Sequence, residues 1–140
     1  NNFIVATEPL GDRARDILAE PVAVADTKFV VNYWRLSDDG RLLFGGGESY
    51  GWTFPDIVQT VRKPMLQVYP QLRDVKIDHA WGGTLAITMT RHPCFIRPRP
   101  NVLSASGYSG HGVAMATLAG RVLAEAVAGQ AERFDLIQLP

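Results

Sequence analysis

From Asn101 the chain reads Asn101-Val102-Leu103-Ser104-Ala105-Ser106, then Gly107-Tyr108-Ser109-Gly110-His111-Gly112, then Val113-Ala114-Met115-Ala116 and on to Val127. The first six residues read as a strand, the next six as a tight loop, and 113–127 as an Ala-rich helix in which only Arg121 and Glu125 are charged. A helix with so few charges is predicted to be buried on most sides, with Ala116, Ala119 and Gly120 permitting close packing. Glycines at 107, 110 and 112 leave backbone N–H groups unobstructed at the helix start. Orphan donors and the positive end of the helix dipole there attract a phosphate, a carboxylate or an electron-rich carbonyl. The spacing is G-x-x-G-x-G rather than the dinucleotide fingerprint G-x-G-x-x-G, and no Lys-Ser/Thr follows for a triphosphate site. On spacing alone, a ligand-binding loop and a plain strand-to-helix connection are both open.

Upstream, the chain is β-rich from Val75 past Trp81-Gly82-Gly83 to Thr90, with a bulge or bend expected at the two glycines, and Cys94 to Arg97 forms a further short strand. Before it, Thr53-Phe54-Pro55-Asp56 opens a helix, with Thr53 as cap, Pro55 harmless at the start and Asp56 favourable to the dipole. Ile57, Val58, Val61, Met65, Leu66 and Val68 give it an apolar stripe. Pro64 predicts a kink or break near Lys63, and the element ends at Tyr69-Pro70. Two β-rich runs, 29–36 and 41–44, flank Ser37-Asp38-Asp39-Gly40 and predict a hairpin whose second strand ends at Gly45-Gly46-Gly47. Phe3 to Ala6 is a strand, and 12–18 a polar segment of about two helical turns. The fold class expected is α+β, an antiparallel sheet with a kinked helix followed by strand, loop and buried helix.

The 140 residues carry 14 Lys+Arg against 14 Asp+Glu and are 46% hydrophobic, so global disorder is excluded and neither nucleic acid nor an anionic membrane is a default partner. One cysteine, Cys94, makes neither an internal disulfide nor a four-thiolate zinc site, which fits a reducing cytoplasm. No apolar run reaches the roughly 18 residues of a membrane span, and no basic-then-apolar leader opens the chain, so an untargeted soluble protein is expected. Starting on Asn1-Asn2 and entering an apolar strand at once, the chain is expected to be a piece of a longer parent. His79, His92 and His111 are widely spaced, and no Asp or Glu lies between 79 and 124, so no metal site is expected. Arg91, Arg97, Arg99 and Arg121 in that span are expected at the surface.

The Gly107-to-Gly112 loop with its Ala-rich helix, preceded by Trp81-Gly82-Gly83 and Pro93, resembles the C-terminal part of FAD-dependent oxidoreductases of the DAO family, the D-amino-acid, glycine and sarcosine oxidases. Within that family it is most similar to the γ-glutamylputrescine oxidoreductase branch. The resemblance implies that 1–98 is a partial substrate-binding domain and 99–140 the returning segment of the FAD domain. It implies cofactor contacts from Gly107, Tyr108, Ser109, Gly110, His111, Gly112 and Val113 at the pyrimidine end of the flavin, where charge accumulates on reduction. The implied reaction is hydride transfer to FAD from the carbon bearing an amine, for which no acid–base triad is needed and no catalytic side chain is assigned.

Two departures from the family pattern carry implications of their own. Relatives that hold a substrate carboxylate with a Lys after the His-Gly pair have it where this chain has Ala114, and relatives that tether FAD use a Cys where it has Leu85 and Ala86. FAD is therefore expected to be noncovalent, and the substrate to be an amine without an adjacent carboxylate. Among the aromatics Trp34, Tyr33, Tyr50, Trp52 and Trp81, the substrate-binding candidates are Trp81 and Tyr33, Trp81 first because its Gly neighbours allow close approach. The expected partners are a small-molecule amine and the missing N-terminal FAD-binding half, with homo-oligomerisation allowed. The isolated piece is expected to be inactive. The competing reading is a stand-alone small-anion-binding or protein-interaction module without catalysis.

Overall fold

The computed structural model describes residues 1–138 and divides into two compact units, 1–84 and 85–140. The first is a five-stranded antiparallel sheet of β1 (Asn2–Thr7), β2 (Val24–Ala25), β3 (Tyr33–Leu36), β4 (Leu42–Glu48) and β5 (Ile77–Gly83), in the order β2-β3-β4-β1-β5. Helix α1 (Ala14–Ile17), continuing a 3-10 turn, fills the polar connection after β1, and α2 (Ile57–Val68) packs on one face of the sheet. The alternation of side chains along a strand sends Phe3, Val5 and Thr7 of β1 with Leu42 and Phe44 of β4 to that face. There they meet Val61 and Met65 of α2 in a closed core with Leu72 and Val75. At about 25 cal/mol per Å2 of apolar surface removed from water, each of these large side chains is worth about 1.5–3 kcal/mol. Trp34 stacks on Phe44 at 5.3 Å, and its indole N–H donates to the Tyr69 hydroxyl (2.8 Å), which donates in turn to the Ile17 carbonyl (3.2 Å).

The α+β class is as the sequence predicts, with several differences in detail. The hairpin forms at Ser37–Gly40, where the Ser37 hydroxyl and the Arg41 backbone bond one another across the turn, but β3 starts only at Tyr33. Gly45, Gly46 and Gly47 do not end β4: it continues to Glu48, pairing Gly45 with Ile4 and Gly46 with Phe3. Asp56, rather than Thr53, caps α2, its carboxylate accepting the Gln59 N–H at 3.0 Å. The helix runs through Pro64 without a break, since only the single bond that the Pro64 nitrogen would donate is lost while Val61 and Met65 on either side stay fully buried. The strand from Val75 is shorter than expected, ending at Gly83, and the register shift lies at Ala6/Thr7 rather than at the glycines.

In the second unit, β6 (Cys94–Arg99) pairs with β7 (Val102–Ser106), followed by α3 (Gly112–Val127) and α4 (Glu132–Ile137). Its core is small: Phe95, Ala119, Val122 and Phe134, with the two phenylalanine rings edge to face at 6.4 Å. The expectation that α3 is buried on most sides is not met. Among the described residues only Ala119 and Val122 of this helix are buried, while Val113 is 98% and Val127 79% exposed. One side of the helix packs on β7 and α4. The unit boundary falls after Thr84, and residues 139–140, in the expected FAD-domain segment 99–140, lie outside the described part.

Candidate functional site

Two places bring the predicted site residues together, one in each unit. In the second unit, the turn from β7 to α3 is held by the backbone of residues 86–88. The Ser109 N–H donates to the Ala86 carbonyl (3.1 Å), the Thr88 N–H donates to the Ser109 hydroxyl (3.2 Å), and Ile87 bridges to Tyr108. Gly107 sits at φ +67° where a Cβ would stand 2.6 Å from Thr88 Cγ2, so only glycine fits the turn. Tyr108 is half-buried and its hydroxyl donates back to the Ala105 carbonyl (3.0 Å), while Ser109 is buried at φ +51°. The side chains of Tyr108 and Ser109 thus hold the loop in shape, while Gly110 and His111 are exposed and Gly112 half-buried.

His111 is the residue before the helix, and its side chain makes no capping bond. The first intrahelical bond runs from the Met115 N–H to the His111 carbonyl (3.0 Å), so the N–H groups of Gly112, Val113 and Ala114 precede the ladder. Gly110, at φ +94°, has nothing within 4 Å of the position a Cβ would take. The arrangement presents partial positive charge with no competing carboxylate on the loop, as an electron-rich carbonyl edge or an anion requires.

In the first unit, a cavity of about 230 Å3 opens on the sheet face away from α2, lined among others by Ile4, Tyr33, Arg35, Leu43, Gly45 and Trp81. Strand register explains it. Tyr33 pairs with Gly45, Gly45 with Ile4, and Ile4 with Trp81, a single row across β3, β4, β1 and β5. With strands about 4.8 Å apart, the backbones of Tyr33 and Trp81 stand roughly 14 Å apart, with Gly45 and Ile4 between them in the row. The Tyr33 ring crosses over Gly45, where a Cβ would clash with Cζ, Cε2 and Oη of the phenol, and its hydroxyl donates to Asn2 Oδ1 (2.7 Å). Burial pushes the Tyr33 phenol upward in pKa, keeping it a donor.

Tyr33 and Trp81, the predicted substrate contacts, therefore line one cavity. Of the two glycines after Trp81, Gly82 admits the Phe3 ring from the core side, with Phe3 Cδ1 2.5 Å from where a Cβ would stand, while Gly83 has nothing within 4 Å of that position. Of the other aromatics, Trp34 belongs mainly to the core stack, although it also touches the cavity, and Tyr50 and Trp52 lie on the exposed stretch after β4. His79 and His92 are exposed, and among the described residues no group of His, Cys, Asp and Glu is arranged to hold a metal ion. Arg97 lies 5.5 Å over the Phe134 ring, and Arg121 bonds Glu125. The sequence reading missed Ile4, Arg35, Leu43 and Gly45 as cavity residues, because only non-local strand pairing brings them beside Tyr33.

Comparison with known proteins places these features in a family. The model of the FAD dependent oxidoreductase family DAO matches residues 1–126. A probable oxidoreductase, OrdL, of Haemophilus influenzae is 44% identical over 138 residues, covering 98% of this chain and 31% of that protein. Gamma-glutamylputrescine oxidoreductase of Escherichia coli (strain K12) is 44% identical over 134 residues, covering 94% and 32%. The chain thus spans about a third of the length of the curated relatives it matches. The crystal structure of L-proline dehydrogenase from P. horikoshii superposes with a TM-score of 0.71 at 22% identity, over 99% of this chain and 40% of that one, which shows a shared fold. No helix among the described residues is long and apolar enough to cross a membrane.

Proposed function

Since the chain belongs to the DAO family of FAD-dependent oxidoreductases, we propose that it is the C-terminal portion of an enzyme that oxidises an amine or amino acid at the carbon bearing nitrogen. The observation that carries this reading is the open helix start at Gly112-Val113-Ala114, preceded by a loop whose backbone is fixed by residues 86–88. These residues fit the carbonyl-bearing pyrimidine edge of a flavin: three backbone donors and no acidic side chain on the loop to repel electron density. FAD, when bound, supplies the two-electron acceptor: a hydride leaves the substrate carbon, the nitrogen loses a proton, and a C=N bond forms.

The chain's own residues do the rest by holding and orienting. The N–H groups of Gly112, Val113 and Ala114, held by the loop 107–111, offer fixed dipoles to the cofactor, with no reorganisation needed as charge develops. In the first unit, Tyr33 and Trp81 wall an apolar cavity that binds the substrate's carbon skeleton and excludes water. Residues 1–98 serve as most of a substrate-binding domain and 99–140 as the returning part of the FAD domain. With Ala114 after the His-Gly pair, the substrate is an amine without a carboxylate on the oxidised carbon, and a γ-glutamylated diamine such as the one in the relative's name suits that description. A soluble cytoplasmic enzyme fits these features. A stand-alone binding module is not favoured, because relatives named as oxidoreductases align across nearly this whole chain and extend to three times its length.

The test is to express the full-length parent, record its visible spectrum and add amines without oxygen. A flavin spectrum bleached by an acylated diamine faster than by sarcosine supports the reading. A colourless parent, or a flavin that no amine reduces, overturns it.

A further inference from the structure

We propose that Arg35 sets the substrate class by binding a carboxylate carried on a part of the substrate remote from the oxidised carbon. This rests on the reading of the Tyr33–Trp81 cavity as the substrate pocket. Arg35 follows Tyr33 by two residues on β3, so the two share a face of the sheet and stand about 7 Å apart along the strand. Its row continues through Leu43 to Ala6, giving an apolar floor between the charged end and the Tyr33 ring.

Arg35 is the one charged residue lining the cavity. Arg13, Arg41, Arg97, Arg121 and Arg133 each have an acidic partner within ion-pair distance, whereas among the described residues Arg35 has none. One of its five N–H groups is spent on the Leu36 carbonyl (3.1 Å), which leaves the remaining donors for a ligand. An apolar cavity ending in an unpaired planar cation complements a flexible carbon chain ending in a carboxylate, which arginine grips with two parallel bonds. The charge therefore recognises the far end of the molecule, while Ala114 leaves the oxidised end without an anion clamp.

The experiment uses the full-length parent and two probes of equal length: 1,4-diaminobutane acylated with glutarate, and its pentanoyl counterpart with a methyl group in place of the carboxylate. The wild type is expected to favour the glutaryl compound about tenfold to a hundredfold in kcat/KM, through KM, with the preference shrinking at high salt. Arg35→Leu should reduce the preference to within about threefold, and Arg35→Lys should keep part of it. A preference unchanged in Arg35→Leu overturns the proposal. Ala23→Phe, which fills the cavity, separates this from failure of the pocket reading. If Ala23→Phe lowers kcat/KM for both probes while Arg35→Leu leaves the preference intact, the cavity is the substrate pocket and Arg35 is not its selector. If Ala23→Phe changes neither, or if the wild type oxidises neither probe, the pocket reading itself falls and the proposal with it.

Discussion

Substituting Gly45 by alanine tests the construction of the cavity floor directly. Gly45 has no positive φ, so alanine meets no backbone strain there, and the cost is steric alone: the new methyl clashes with Cζ, Cε2 and Oη of Tyr33. Tyr33 must rotate away, losing the 2.7 Å bond from its hydroxyl to Asn2, worth about 0.5–1.5 kcal/mol, while forced overpacking adds about 1–3 kcal/mol. The expected destabilisation is about 2–4 kcal/mol. The same substitution made in Tyr33→Ala should be neutral, or stabilising by up to about 1 kcal/mol, because the ring is gone and alanine restricts the unfolded chain more than glycine does. Urea unfolding of the full-length parent, followed by tryptophan fluorescence for the four proteins of the cycle, gives the coupling energy. Equal costs of Gly45→Ala in both backgrounds would refute the argument that the Tyr33 ring is what excludes a side chain at 45.

Three other outcomes are expected. Acid precipitation of the parent should release all the yellow colour into solution, because Leu85 and Ala86 stand where a tethering cysteine is needed; colour kept on the denatured protein contradicts noncovalent FAD. The carboxyl of Asp39 is held below the usual range first by the Ser37 hydroxyl and then by the Arg41 guanidinium. Its folded pKa is below its unfolded value, so its stabilisation is present in full above the ordinary carboxylate pKa of about 4 and lost as pH falls through the folded one. Asp39→Asn should flatten the acid limb of an unfolding-versus-pH curve without changing its slope near pH 7. Finally, titrating FAD into the purified 140-residue chain should show no micromolar binding, since no G-x-G-x-x-G turn for the pyrophosphate occurs in it; a structured flavin spectrum would show that the chain holds a complete site.

Local signals in the sequence lead to the right elements where the physics is local. The Ser-Asp-Asp-Gly turn, the apolar stripe of α2 and the strand-loop-helix at 102–127 all form, because turn chemistry and periodicity act within a few residues. What escapes local reading is governed by pairing. The three glycines at 45–47 look like a terminator until Tyr33 and Asn32 are seen lying over the first two from the neighbouring strand. Similarly, Thr53 is as good a cap by type as Asp56, and only the path of the chain puts the Asp56 carboxylate at the Gln59 N–H. The cavity combines both cases: its aromatic walls are conspicuous by residue type, but Ile4, Gly45 and Arg35 join them only through register between strands up to 77 residues apart along the chain, as Ile4 and Trp81 are.

The two units differ in how far their own residues account for their packing. The first closes its core between sheet and helix, and an apolar recess lies on the opposite face of the sheet. The second gathers four buried side chains beneath a 16-residue helix whose Val113, Leu118 and Val127 stay exposed. So small a core offsets little of the conformational entropy of ordering its chain, about 1–2 kcal/mol per residue for the backbone alone. The helix start that would face the cofactor therefore owes its fixed position to something other than the helix's own burial: the bonds of Ser109 to Ala86 and Thr88, and the fit of Gly107 against Thr88. Placing the determinants of loop shape in residues 86–109 rather than in α3 lets the donors at 112–114 keep their geometry independently of how far the apolar sides of the helix are buried.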